Sequence, residues 1–338
     1  MATLADVARR AGVSPATASR IINGSSKRVT DPLRSRVLAA VEELQYVPNA
    51  HAQSLARSQR NAVGVIVHDV SDPYFAEITR GLQRVATEHG RLVIICNSYR
   101  NPERELEYVE LLRAQQVVAI ILAGSGYHDP HFTRSLNQKL AVYERTGGRV
   151  TVIGRHQHAS DAVMPANESG GYLAAAELFR LGHRDIGVIA GPKMLTTTTD
   201  RLSGLRRAAR DYTRRIVKVV YADFDRDGGA LAASQLLTAR PNLTAIAALN
   251  DSMAIGALAF LRSRDIVVPD QVSVIGFDDM PIARDVTPAL TTVRLPLAEI
   301  GARAMTLALD STPADHPPRI EEISCEIVRR ASVAVPPR

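Results

Sequence analysis

Cysteine is almost absent from this chain: 338 residues hold two, Cys96 and Cys325, far apart and with no Cys or His neighbour at metal spacing. No disulfide framework, metal or cofactor is expected, and the pair reads as buried thiols in a reducing cytoplasm. No run of about 18 apolar residues occurs, which argues against a membrane-spanning helix. The amino terminus, MATLADVARR, has no apolar h-region, so nothing there marks the chain for export. Also missing are a Gly-x-Gly-x-x-Gly fingerprint, a P-loop and a nucleophile elbow, the short signals of common enzyme chemistries. His156 and His158, two apart on a predicted loop, are too few for a metal site. No heptad-bearing tail follows RRASVAVPPR, so a coiled-coil tetramer is not expected.

What is present is an uneven distribution of charge. Residues 1–60 carry nine Lys and Arg against four Asp and Glu, a net of +5, whereas the whole chain carries +6 and the remaining 278 residues only +1. The first segment is therefore suited to a polyanion and the remainder is not. Within it, Leu4, Val7, Ala8 and Ala11 have helical spacing, Gly12 supplies a turn, and Ser14 with Pro15 marks a second helix start. That second helix turns Ala18, Ile21 and Ile22 inward and leaves Pro15, Ala16, Thr17, Ser19 and Arg20 outward. Two short helices with a tight turn and a small polar outer face form a helix-turn-helix pattern. Thr30, Asp31 and Pro32 open a third helix, and Leu33, Val37, Val41 and Leu44 give it a packing stripe. The next stretch, NAHAQSLA, is too short to be helical alone and should fold only against something else.

From Ala62 short Val- and Ile-rich runs alternate with amphipathic stretches, as in AVGVIVHD, PYFAEITRGLQRVATEH, RLVIIC and PERELEYVELLRA. Roughly ten strand-like runs of this kind indicate α/β architecture with two doubly wound parallel sheets. The expected domains are residues 1–47, a helix-turn-helix unit; 48–61, a linker; and 62–338, a two-lobed ligand domain. Ligands in such sheets sit outside the strand carboxyl ends, so residues from both lobes should converge on a cleft.

In order and spacing, TLADVARRAGVSPATASRIIN, VLAAVEELQYVPNAHAQSL, GVIVHDVSDPYFAEI, LGHRDIGVIAGP, ALNDSMAIGAL, VSVIGFDD, TPALTTVRLP and RRASV are similar to segments of the LacI/GalR (lactose-repressor/galactose-repressor) family of bacterial transcription regulators. The resemblance implies a periplasmic-binding-protein-like sensor and a homodimer, a repressor acting on near-palindromic double-stranded operator DNA. It also implies a cytoplasmic protein that sits on the nucleoid when bound to DNA, and sensor lobes at about 62–161 plus 294–322 and about 162–293 plus 323–338. It assigns base reading to Pro15, Ala16 and Arg20, of which only Arg20 can pair bidentately with guanine. Thr17, Ser19, Asn23 and Tyr46 become phosphate contacts, which position without specifying. Within the 48–61 linker NAHAQSLA becomes a hinge helix whose Leu55 wedges into the minor groove, with Gln53 where the family usually has arginine.

The same resemblance places Asp72, Tyr74, Phe75, Arg155, Arg201, Phe224, Asn250 and Asp278 around a small-molecule effector. These types suit a sugar, with rings covering its apolar face and Asp, Asn and Arg binding its hydroxyls; a nucleobase or nucleoside is the alternative. Gly154 stands where sugar-binding relatives often carry an acid, and Thr196 to Thr199 are expected at the cleft edge. A solute receptor without DNA regulation would need export, and a glycosidase-like pair of Asp72 and Asp278 finds no further support. The charge asymmetry makes one prediction: DNA affinity should fall steeply with added salt, by about tenfold or more between 50 and 200 mM, for several neutralised phosphates. A flat response in a filter-binding titration would contradict the proposed basic face.

Overall fold

A computed structural model describes residues 2–22, 30–46, 61–311 and 316–337. Two compact units result, Met1–Arg60 and Asn61–Arg338. In the first, α1 (Leu4–Ala11) starts from Thr3, whose hydroxyl accepts from the Asp6 amide while the Asp6 carboxylate accepts from the Thr3 amide, a reciprocal capping box. Gly12 closes the helix with φ of 67°, a conformation that favours glycine. Ser14 Oγ accepts from the Thr17 amide at 3.1 Å and opens α2 (Pro15–Ile22). Before α3 (Asp31–Glu43), Thr30 has extended cap backbone but makes no side-chain cap bond, so the first turn there rests on Pro32. Val7, Ala8 and Ala11 of α1, Ala18 and Ile21 of α2, and Val37 and Ala40 of α3 form a small separate core. Asn23, Gln53 and Leu55 lie outside the described residues.

The second unit runs β1 (Ala62–Val67), α4 (Pro73–Glu88), β2 (Leu92–Asn97), α5 (Pro102–Ala114), β3 (Ala119–Ala123), α6 (Pro130–Arg145), β4 (Arg149–Ile153) and β5 (Asp161–Pro165). It continues through α7 (Asn167–Arg180), β6 (Asp185–Ala190), α8 (Thr196–Asp211), β7 (Arg215–Tyr221), α9 (Arg226–Ala239), β8 (Ala245–Ala248), α10 (Asp251–Ser263), β9 (Ser273–Asp278) and β10 (Thr291–Arg294). Last come α11 (Leu297–Leu309), β11 (Ile320–Ile323) and β12 (Glu326–Val328). Two six-stranded sheets form, in the orders β11-β5-β4-β3-β1-β2 and β12-β10-β9-β8-β6-β7. Every pairing is parallel except β10 with β12. The near-continuous apolar strands follow from burial on both faces, as in β1 and β3.

The chain passes between lobes three times, after Pro165, after Arg294 and between Ile323 and Glu326. The first crossing therefore falls after the expected 161/162 boundary, because β5 pairs with β4 and β11 as part of the first sheet. Its five residues, DAVMP, end in proline and are too short for periodicity to announce.

Both lobes hold helix pairs at unusually close range, and the second holds two, since a Cβ on Gly256 of α10 would also stand 1.9 Å from Arg226 O of α9. A Cβ added to Gly81 of α4 would stand 1.8 Å from Ala298 O, and one on Gly301 of α11 would stand 2.0 Å from Ile78 O. The second lobe repeats the device, with Gly171 of α7 meeting Arg201 O at 2.0 Å and Gly204 of α8 meeting Glu168 O at 1.9 Å. Backbone atoms have no rotamer to give way, so the two helices of each pair are held at a fixed separation. Gly301→Ala should destabilise the second unit by about 1–3 kcal/mol through overpacking, read as a lower urea midpoint. An unchanged midpoint would mean that the helices separate without cost.

Candidate functional site

On α2 the outward residues Pro15, Ala16 and Arg20 are exposed, while Thr17 and Ser19 are half-buried beside them. No ion pair holds Arg20 among the described residues, whereas Arg9 pairs with Asp6 and Arg10 with Glu43. Arg20 is thus the long cationic side chain on this face left for an outside acceptor. Thr17 Oγ1 is 2.8 Å from Ser14 Oγ, so that hydroxyl also serves the helix start. Tyr46, half-buried, packs its ring against the small core.

In the second unit, both sheets end their strands on one narrow interlobe cleft with a cavity volume of about 40 Å³. Asp72, Tyr74 and Phe75 enter from the loop after β1 and the start of α4, and Arg201 from α8. Phe224 follows β7, Asn250 follows β8, and Asp278 ends β9. Seven of the eight expected residues therefore meet. Arg155 is the exception: its guanidinium is taken by Asp200, with Nε donating at 3.1 Å and Nη2 at 2.6 Å, and it does not line the cleft. Position after β4 suggested a ligand contact, but a carboxylate from the opposite lobe lies closer.

Several lining residues hold the site's backbone. Asp72 caps α4 by accepting from the Tyr74 amide at 3.0 Å, and Asn250 caps α10 by accepting from Met253 at 2.8 Å. Arg201, 2% exposed, donates to Asn167 Oδ1 at 2.9 Å, to Asp278 Oδ1 at 2.8 Å and to the Leu249 carbonyl, with its guanidinium 3.7 Å from the Phe277 ring centre. Burial pushes the Asp278 carboxyl up to about 7, against the pull of Arg201. Burial also raises Asp72, and burial together with Asp278 raises Asp251.

One cleft rim is laced between the lobes. The Thr196 amide donates to Gly126 O at 2.9 Å, the His128 amide to Met194 O at 2.7 Å, and Ser125 Oγ to Thr197 Oγ1 at 2.6 Å. His128 Nε2 lies 2.9 Å from Thr199 Oγ1, and Thr196 Oγ1 donates to Arg155 O at 3.0 Å. Of the four threonines expected at the cleft edge, Thr197 lines the cleft, and Thr196 and Thr199 fasten the lobes at its rim.

The amino-terminal unit matches the model of bacterial regulatory proteins of the lacI family over residues 3–49. The second unit matches a periplasmic binding protein-like domain over residues 175–333. The HTH-type transcriptional regulator GalR of Escherichia coli (strain K12) is 34% identical over 348 residues, covering 99% of this chain and 97% of that protein. The chain belongs to the LacI/GalR family of bacterial transcriptional regulators. Among solved structures, a lac repressor dimer bound to operator and the anti-inducer ONPF aligns with TM-score 0.84 and 26% identity over 98% of this chain and 99% of that one. A complex of the transcriptional regulator CelR with cellobiose aligns with TM-score 0.72 and 29% identity over 98% and 100%.

In this LacI/GalR-family chain the cleft also contains side chains that the resemblance did not assign, among them His68, Arg100, Ser125 and Asn167. All four lie at or just beyond strand carboxyl ends, or at a crossing between lobes, so position was the available signal. No group of three or more potential metal ligands exists among the described residues. His156 Nε2 is instead 3.0 Å from the Gly124 carbonyl. Behind His68 lies a buried polar cluster in which Glu105 Oε1 accepts from Tyr127 Oη at 2.8 Å and Ser98 Oγ at 3.1 Å, with His68 Nε2 at 3.6 Å. Burial pushes Glu105 up to about 7 and His68 down to about 3.

The pH consequence has a definite sign. A carboxyl raised from 4.5 to about 7 keeps its proton in the folded chain where the unfolded chain has lost it, so its contribution is full below 4.5 and lost as pH rises to 7. Neutral His68 acts oppositely, since the unfolded imidazole takes up a proton below 6.5. Glu105→Gln should therefore gain stability relative to the parent chain as pH rises from about 5 to 8. Parallel thermal-melting curves for the two proteins across that range would contradict a raised Glu105.

Proposed function

We propose that this chain is a sequence-specific DNA-binding transcriptional regulator, a repressor, whose operator affinity is set by a sugar-like effector held between the lobes. What carries the reading is the joining, in one chain, of an exposed Pro15–Ala16–Arg20 face on a capped helix with a cleft built from the carboxyl ends of both sheets. The lac repressor dimer on its operator and the cellobiose complex of CelR support the two halves separately. As a homodimer the chain presents two copies of α2 to two half-sites of a near-palindromic operator in the cytoplasm, on the nucleoid.

Arg20 reads a base, while Thr17, Ser19, Asn23 and Tyr46 touch phosphates. The hinge segment, with Gln53 and Leu55 at the minor groove, links sensor to reader. In the sensor, Phe224, Tyr74 and Phe75 cover a ring face, and Asp72, Asn250, Asp278 and Arg201 meet hydroxyls. A hinge that is only marginally helical alone needs a coupling of about 1–3 kcal/mol to switch DNA binding.

Selection of bound fragments from random DNA tests this reading. The parent chain should return a near-palindromic consensus. Arg20→Ala should lose preference at one base pair per half-site and about 1–3 kcal/mol on the best site. An identical consensus from the variant removes Arg20 as a reader, and no consensus from the parent removes the regulator reading.

A further inference from the structure

The cleft contains two guanidinium groups in different states. Arg201 makes three hydrogen bonds within its own lobe and is stacked on Phe277. Arg100 is held more loosely, by a long ion pair and a ring contact and by no hydrogen bond among the described residues. It stands on the loop after β2, where Tyr99 and Arg100 both adopt left-handed backbone, with φ of 52° and 56°. That geometry is costly for side-chain-bearing residues and turns the loop into the cleft wall. Its Nε is buried without a hydrogen-bond partner, and its only ion pair among the described residues is a loose one, 3.9 Å to Asp72. The guanidinium carbon lies over the Phe224 ring of the opposite lobe, 5.6 Å from its centre, a cation–π contact across the cleft.

The surrounding polar groups add donors. Asn167 gives its Oδ1 to Arg201 and keeps its amide N–H groups, and Thr197 Oγ1 accepts from Ser125, leaving its own proton to offer. The acceptors are Asp72, with one oxygen used in capping α4, and Asp278, with one oxygen on Arg201. A buried guanidinium donor left open costs free energy that an acceptor supplied with the ligand would recover.

Building on the sensor reading above, we infer that the effector is a monosaccharide-sized polyol carrying an oxyanion, a carboxylate or a phosphoryl group, and that Arg100 anchors this group. The ring of the polyol lies against Phe224, and its oxyanion takes the fork of Arg100 in place of the distant Asp72. Arg100 is then the residue that separates acidic sugars from neutral ones.

Isothermal titration of the full chain tests this with matched ligands: aldohexoses, their uronates and aldonates, and their phosphate esters, with nucleosides as a separate arm. At least one charged form should bind 10-fold or more tighter than its neutral parent, about the worth of one charge-assisted hydrogen bond. Whether carboxylates or phosphates bind identifies which oxyanion it is. Arg100→Met should erase that preference, and Arg100→Lys, which keeps the charge without the fork, should restore part of it. Neutral sugars binding as well as or better than every charged form, or a preference that survives in Arg100→Met, overturns the inference while the sugar-sensor reading stands. Nucleosides binding alone overturn both. Silence from every charged member overturns the inference as well.

Discussion

Much of the second lobe depends on one buried cation. Arg201 reaches from α8 to the end of β9 through Asp278, to α7 through Asn167 and to the carbonyl after β8 through Leu249, resting on Phe277. Leaving either member of such a buried pair alone costs about 3–5 kcal/mol, so its geometry is enforced by the penalty for leaving it. The Gly171 and Gly204 contacts press α7 against α8 at the same place, with the Arg201 carbonyl itself in the contact. Helix packing and charge pairing therefore fix the same side of the cleft. A ligand meeting this wall encounters groups already oriented, and little ordering is left for binding to supply.

The opposite wall is built on different terms. Asp72 is committed through a cap and Phe75 through packing, while Arg100 is held by its backbone more than by its head group. The second-lobe wall is thus cross-braced through Arg201, with the Asn167 amide and the Thr197 hydroxyl still able to donate, while the first-lobe wall retains the unpartnered Nε of Arg100.

Sequence reading went furthest where periodicity and caps speak locally. The helix-turn-helix stripe, the Gly12 and Ser14 punctuation and the alternation of apolar runs with helices were all legible. Seven cleft residues were placed through the family resemblance, since they sit at strand ends whose order the motifs preserve. Arg155 was misplaced because nothing local says that Asp200, from the other lobe, will lie within 3.1 Å of it. The threonines after Leu195 were expected at the cleft edge, and Thr196, Thr197 and Thr199 lie there, but in bonds to the loops after β3 and β4, a distant pairing that no spacing encodes. Helix α6 and the short strands β5, β11 and β12 also went unread, the strands because three to five residues are too few to show a period. Arg100 was invisible for another reason: its interest lies in a bond it does not make.

The lacing of the rim sets this chain's two tasks apart in their response to the medium. Backbone amides, carbonyls and hydroxyls join Gly126, His128 and Ser125 to Met194, Thr196 and Thr197, and only Arg155 with Asp200 adds full charges. Neutral bonds of this kind feel little ionic screening, whereas cations set against phosphates feel a great deal. Added salt would then weaken the hold of the cationic first unit on a polyanion while leaving the bonds that fasten the two lobes nearly unchanged.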